Sequence, residues 1–222
     1  MGMVGVTFGD QHSYDDWHVY VNGFHVEYPT PRRLSVNVAL RNGMLDVTNA
    51  LTDGKIYYEN RKITVDFVVI DNPLSWQTLY SKIARAVHGK SLRIIYDMDP
   101  YFYWEADNCI IVSPTQQEDV GSFSIECDCK PYKHELDDMK IVRTLWGEGI
   151  TIDAVNLREE VVPTINVTAP AALEFNDNWY SLDVGDNWYE TVELKEGSNI
   201  LKIYNRGTDI NTITITYRRG DL

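Results

Sequence analysis

Two runs of strict alternation constrain this chain more than anything else in it. Ile63, Val65, Phe67 and Val69 alternate with Lys62, Thr64 and Asp66, and Phe123, Ile125, Cys127 and Cys129 alternate with Ser122, Ser124, Glu126, Asp128 and Lys130. A period of two places one set of side chains on each face of an extended segment, so each run reads as a half-buried strand. Val4 to Phe8, Leu34 to Val38, Leu92 to Tyr96 and Tyr101 to Trp104 are further strand candidates. Met98-Asp99-Pro100 is expected to turn the chain between the last two.

One segment carries a helical period instead. Trp76, Leu79, Tyr80, Ile83 and Val87 form an apolar stripe, with Asn72 as candidate cap, Pro73 in the first turn and Gly89 as the stop. Lys82, Arg85 and His88 fall towards the end where positive charge is favoured. The expectation is one helix laid on sheet in a mostly β protein.

The alternating pattern breaks between Pro131 and Asp138, where Pro131-Tyr132-Lys133-His134 is expected to end a strand and a domain. The expected division is 1–135, an α+β domain with one helix on β-sheets, and 136–222, a β-sandwich. The second part reads as short strands at Ile150 to Ile152, Thr164 to Thr168, Trp179 to Leu182, Tyr189 to Leu194, Ile200 to Tyr204 and Thr212 to Tyr217. Within it Asp177-Asn178-Trp179-Tyr180 recurs as Asp186-Asn187-Trp188-Tyr189. A hairpin turning at Val184-Gly185 accounts for the echo, with Tyr180 facing Tyr189 and the two Trp on the opposite face.

The charge balance bears on partners. The chain has 222 residues, enough for one large β domain or two modest ones, and a net charge of −13 from 33 acidic against 20 basic residues. That argues against a binder that neutralises nucleic-acid phosphates, which needs a basic face. Arg32-Arg33 and Arg218-Arg219 read as surface charge. An acidic surface also suits a channel through which DNA passes without sticking. The segment Met1-Gly2-Met3-Val4-Gly5 does not read as a signal peptide, and no run approaches the ~18 apolar residues of a membrane span. Three cysteines imply folding in a reducing interior and no disulfide framework.

No catalytic or metal constellation is expected, and no cofactor. His12, Ser13 and Asp15 have the residue types of a hydrolase triad, but triads assemble in space and no nucleophile elbow surrounds them, so a polar turn is expected. Cys109, Cys127, Cys129 and His134 lack zinc-site spacing and read as core thiols. Asp177, Asp183, Asp186 and Asn187 lack the calcium-loop pattern, and turn chemistry accounts for them. Gly147-Glu148-Gly149 lacks the rest of a phosphate loop. Trp179, Tyr180, Trp188 and Tyr189 have two readings: core packing for the Trp pair, or a platform on which sugar rings stack.

The stretch from Asn42 to Phe67 is the remaining feature: a turn-rich polar segment, Asn42-Gly43-Met44-Leu45-Asp46-Val47-Thr48 onward, running into the alternating strand. Together with other pieces in order it resembles the distal tail protein (Dit) family of long, non-contractile-tailed bacteriophages and prophages. The pieces are Phe8-Gly9-Asp10-Gln11-His12-Ser13-Tyr14-Asp15-Asp16-Trp17; then Gly43, Leu45-Asp46, Thr48 and Tyr57-Tyr58-Glu59-Asn60-Arg61; then Cys129-Lys130-Pro131-Tyr132-Lys133. The last are Pro163-Thr164-Ile165, Gly197-Ser198-Asn199-Ile200, and the run from Ile213 to Leu222. Here the chain is shorter than many members and shows no long insertion in its second domain of the kind that grips receptor-binding proteins.

The resemblance implies an N-terminal ring-forming β domain with a helix and a C-terminal galectin-like β-sandwich. It implies a homohexameric ring in the virion, at the distal end of the phage tail, joining the tail tube protein to a tail-tip hub or lysin protein. DNA would pass through the centre, and receptor-binding proteins or host glycans are further partners. Such a protein folds in the bacterial cytoplasm before assembly. A closed ring needs two different complementary faces per subunit. Leu45, Asp46, Thr48, Tyr57, Tyr58 and Arg61 are the candidate interface residues, Tyr and Arg being hot-spot types; a solvated hairpin loop is the competing reading. The alternative function is a carbohydrate-binding module that contacts host glycans through the Trp and Tyr residues above.

Overall fold

The computed structural model describes residues 3–48, 50, 54–117, 120–207 and 210–222. It divides into two compact units, Met1–Lys133 with Leu222, and His134–Asp221. Among the described residues no helix is long and apolar enough to cross a membrane.

In chain order the first unit contains β1 (Val6–Phe8), β2 (Gln11–His12), β3 (Tyr20–Val26), β4 (Ser35–Asn37), β5 (Met44–Asp46), β6 (Arg61–Ile70), α1 (Trp76–Val87), β7 (Lys90–Tyr96), β8 (Phe102–Gln117) and β9 (Val120–Glu135). Seven of these strands form one sheet in the order β2-β1-β7-β8-β9-β6-β3. The alternating runs explain its centre. β6 and β9 pair antiparallel with Ile63 opposite Cys127, Val65 opposite Ile125 and Phe67 opposite Phe123, so their two apolar rows coincide on one buried face. The Phe67 and Phe123 rings stack at 5.1 Å.

Helix α1 covers that face through Leu79, Ile83 and Val87, all buried. It starts later than the sequence suggests. Ser75 is the cap, its Oγ accepting from Thr78 N, while Asn72 accepts from Leu74 N and donates to the carbonyls of Trp17 and His18. Asn72 therefore fixes the preceding loop instead of capping the helix. The stop is where expected: His88 is the C-cap and Gly89 follows with φ +74°.

The strand β9 ends at Glu135, one residue past the expected stop at Pro131-His134. The cysteines also differ from expectation. Cys109 and Cys127 are joined as a disulfide and only Cys129 is a free thiol. Antiparallel pairing of β8 with β9 brings the two α-carbons within 4.2 Å, a proximity that spacing along the chain does not reveal.

The second unit contains β10 (Met139–Leu145), β11 (Gly149–Asn156), β12 (Thr164–Val167), β13 (Ala171–Phe175), β14 (Asn178–Leu182), β15 (Gly185–Asn187), β16 (Gly197–Asn205), β17 (Asn211–Tyr217) and β18 (Gly220–Asp221). Two four-stranded sheets, β10-β17-β12-β15 and β11-β16-β13-β14, enclose one core that draws Ile141, Ile165, Ile213 and Ile215 from the first and Ile152, Leu173, Leu201 and Ile203 from the second. This is a β-sandwich. The segment 189–194 is not a strand; it makes a single bridge, Val161 to Leu194.

The expected hairpin at Val184-Gly185 is absent. β14 pairs with β13, and β15 pairs with β12, so the chain crosses from one sheet to the other between them. Local echo does not choose a strand's partner. The open edges beside β13 and β12 took the two copies separately.

Candidate functional site

The candidate interface residues of the first unit sit on and beside a small hairpin that stands outside the main sheet. β4 and β5 pair only with each other, Val36 opposite Leu45 and Asn37 opposite Met44. The hairpin is tied at its base: Leu34 N donates to Thr48 Oγ1 (2.7 Å) and Val47 N to Leu34 O (2.9 Å). Thr48 N donates to Asp46 Oδ1 (2.9 Å), and the Thr48 hydroxyl and amide together hold the Asp46 carboxyl below its usual range. Asn49 and residues 51–53 of the predicted stretch lie outside the described residues.

The side chains on this hairpin are unusually apolar for exposed positions. Leu34, Val36, Val38, Leu40 and Met44 are all exposed, Met44 by 66%. Tyr57 is 51% exposed, and Tyr58 is half-buried with its ring edge-on to Tyr132 at 5.9 Å. A two-stranded hairpin is marginal in water by itself, and this one turns a row of apolar side chains to solvent. Arg61 is different. It is 3% exposed, because position 61 shares the inward parity of Ile63 and Val65 and lies opposite Cys129. That parity is visible in the sequence and identifies Arg61 as a buried residue of β6.

In the second unit the four aromatic candidates separate. Trp179 is 62% exposed and Trp188 55%, so neither packs in the core. Tyr180 and Tyr189 pack against the core, their rings 5.0 Å apart, and the Tyr189 hydroxyl donates to Ser181 O. The Tyr contact is made between residues of different sheet connections, not across a ladder. Trp179 lies on the outer face of β14, its ring 5.2 Å from that of Tyr204 on β16. Beneath it Glu174 accepts from Lys202 Nζ (2.7 Å) and Tyr204 Oη (2.9 Å). Those bonds hold the Glu174 carboxyl below its ordinary range and raise both Lys202 and Tyr204. Glu174, Lys202 and Tyr204 are missed by sequence reasoning, since only the register of β13 and β16 places them beside Trp179.

The remaining polar candidates have structural duties. Ser13 is fully buried and its Oγ accepts from Val6 N (3.0 Å). His12 contacts Asp97 (3.2 Å) and accepts from Asp15 N (3.1 Å) through Nδ1, bracing the turn after β2. Cys129 is a buried thiol pushed up to about 12 by desolvation, the opposite of an activated nucleophile. His134 Nε2 meets Glu159 at 2.7 Å. Asp186 accepts from Asn166 (2.7 Å), and Asn187 ties the crossover by accepting from Asp183 N (2.9 Å) and donating to Asp183 O (2.8 Å).

A helix laid on one large sheet, followed by a sandwich of two four-stranded sheets, is a fold shared with a solved phage protein. The chain is similar in structure to the crystal structure of the Dit protein (gp 19.1) of SPP1, described as a paradigm of the hub adsorption apparatus in phages that infect Gram-positive bacteria. The TM-score is 0.66 over 98% of this chain and 99% of that one, at 12% sequence identity, so the likeness is one of fold. No protein-family model matches the chain, and no curated protein matches its sequence.

Proposed function

We propose that this chain is a non-enzymatic structural subunit of a phage tail tip, a homohexameric ring that joins the tail tube protein to a hub or lysin protein. The observation that carries this reading is the likeness of fold to the SPP1 protein, which spans both chains almost end to end. A partial match could reflect one common β module; a match across both units in order is more specific.

The exposed apolar hairpin supports self-assembly. Leu34, Val36, Leu40 and Met44 stand in water in the single chain, and a heterologous contact that buries them against the next copy would close a ring. Leu45, Asp46, Thr48, Tyr57 and Tyr58 flank that contact, Asp46 and Thr48 shaping the hairpin base. In this reading the first unit forms the ring and the second is a galectin-like sandwich. Net charge of −13 suits a bore that lets DNA slide without binding.

The test is mass in solution. Native mass spectrometry and light scattering at rising concentration are expected to show a species about six times the 25.5 kDa chain, with six-fold views in particle images. A strict monomer at high concentration, with or without tube protein, would overturn the ring.

A further inference from the structure

The outer face of the sheet β11-β16-β13-β14 carries a connected array of one open aromatic surface and several fixed polar groups. The backbones of β14 and β16 are separated by β13, about 9.5 Å at ordinary strand spacing, yet the Trp179 and Tyr204 ring centroids are 5.2 Å apart. The two rings therefore lean towards each other over β13. Across the other edge, Gly149 lies opposite Tyr204, and a β-carbon there would come within 2.8 Å of Tyr204 Cδ1. The missing side chain lets the tyrosine ring rest on the sheet. The result is a low platform whose indole is 62% open to water.

Polar groups lie along the same face. The Glu174 carboxylate is held by Lys202 (2.7 Å) and the Tyr204 hydroxyl (2.9 Å), and Arg206 Nη1 donates to Ser181 Oγ (2.8 Å). Each of these groups keeps unused capacity. A carboxylate has about four lone-pair sites and an ammonium three donors, so Glu174 accepts and Lys202 donates further bonds. Their mutual pairing fixes their positions before any ligand arrives and leaves the Glu174–Lys202 pair electrically neutral.

We propose that this face is a binding site for a neutral saccharide. A pyranose ring has an apolar C–H face, which stacks on an exposed indole, and a rim of vicinal hydroxyls that both donate and accept. Trp179 and Tyr204 take the ring face. Glu174 and Lys202 take the adjacent hydroxyls, and Ser181 with Arg206 borders the next sugar unit. The site stands on sheet strands, so little side-chain ordering is left to be done on binding. Trp188, although also exposed, belongs to the crossover after β15 and is not part of it.

The experiment titrates the full chain with a panel of neutral mono- to tetrasaccharides of glucose, galactose, rhamnose and N-acetylglucosamine. It is read by tryptophan fluorescence and by saturation-transfer NMR on the sugar C–H protons. At least one panel member is expected to saturate. Trp179→Ala is expected to weaken it about tenfold or more, the order of a lost aromatic contact. Glu174→Gln and Tyr204→Phe each weaken it several-fold, and Trp188→Ala leaves it unchanged. Trp179→Phe, which keeps a ring on the sheet, restores part of the affinity and covers the case in which the alanine variant fails to fold. No saturable response at millimolar sugar, or affinity equal in wild type and Trp179→Ala, overturns the proposal. Because oligomeric state is not part of the readout, this site and the ring fail separately.

Discussion

The indole of Trp76, in the first turn of α1, occupies the space that a side chain at position 121 of β9 would need. A β-carbon built on Gly121 overlaps the six-membered ring of Trp76, whose centroid lies 6.5 Å from that of Phe123. Glycine in a strand weakens it intrinsically, and here the vacancy is filled by the residue that seats the helix. Gly121→Ala is expected to destabilise the protein by about 1–3 kcal/mol through overpacking. Urea unfolding should show a lower midpoint with an unchanged slope. An unchanged midpoint would mean that Trp76 moves aside without cost.

The Cys109–Cys127 bond gives a chemical prediction. In denaturant without reductant, thiol titration is expected to find one reactive group, Cys129, and three after reduction. The bond links residues 18 apart, so Cys109→Ser or Cys127→Ser is expected to cost about 3 kcal/mol on the loop-entropy scale. In the native state Cys129, buried and pushed up to about 12, should resist alkylation until the sheet opens.

Removing the apolar character of the hairpin should separate assembly from folding. Leu40→Glu or Met44→Asp changes a side chain already in water, so the unfolding free energy of the single chain is expected to stay within about 0.5 kcal/mol of wild type. Oligomers, measured by light scattering, are expected to dissociate, because burying an unpaired carboxylate at a contact is strongly unfavourable. An intact assembly in both variants would remove the hairpin from the interface.

The Glu174–Lys202–Tyr204 array sets a pH dependence with two limits. Glu174 is lowered in the folded state, so its contribution is present above its ordinary value of 4.5 and is lost as pH falls through the lowered folded-state value. Lys202 is raised, so its contribution is fully present below its ordinary value of 10.5 and is lost as pH rises through the raised one. NMR titration of the Glu174 carboxyl carbon is expected to give a midpoint below 4.5, moving up towards it in Lys202→Met. All three groups are on the surface, so the effect on global stability is small.

Much of the fold was legible because face alternation is a local property. Ile63 to Val69 and Phe123 to Cys129 face inward as their spacing requires, and the helix stripe Leu79, Ile83 and Val87 does the same. Several strands were not legible, among them Tyr20–Val26, whose period is broken by a bulge between Val21 and Gly23, and two in the second unit. Met139–Leu145 follows a charged segment that looks like a linker, and Ala171–Phe175 is short with three consecutive buried residues at its start, so neither presents a clean period. The helix cap was misplaced because Asn72 and Ser75 are both good cap residues, and only the loop contacts with Trp17 and His18 show that Asn72 is engaged elsewhere.

The sequence by itself determined that this protein is mainly β with a helix on its first sheet, and which side chains the cleanly alternating strands turn inward, because a two-residue period needs no knowledge of the partner strand. Only the tertiary structure decided who those partners are. The two Asp-Asn-Trp-Tyr copies belong to different sheets, Cys109 meets Cys127, and Trp179 meets Tyr204 with Glu174 and Lys202 beneath. Strand pairing is a non-local choice, set by which edges remain open when the sandwich closes, and no pattern within ten residues of a strand encodes it.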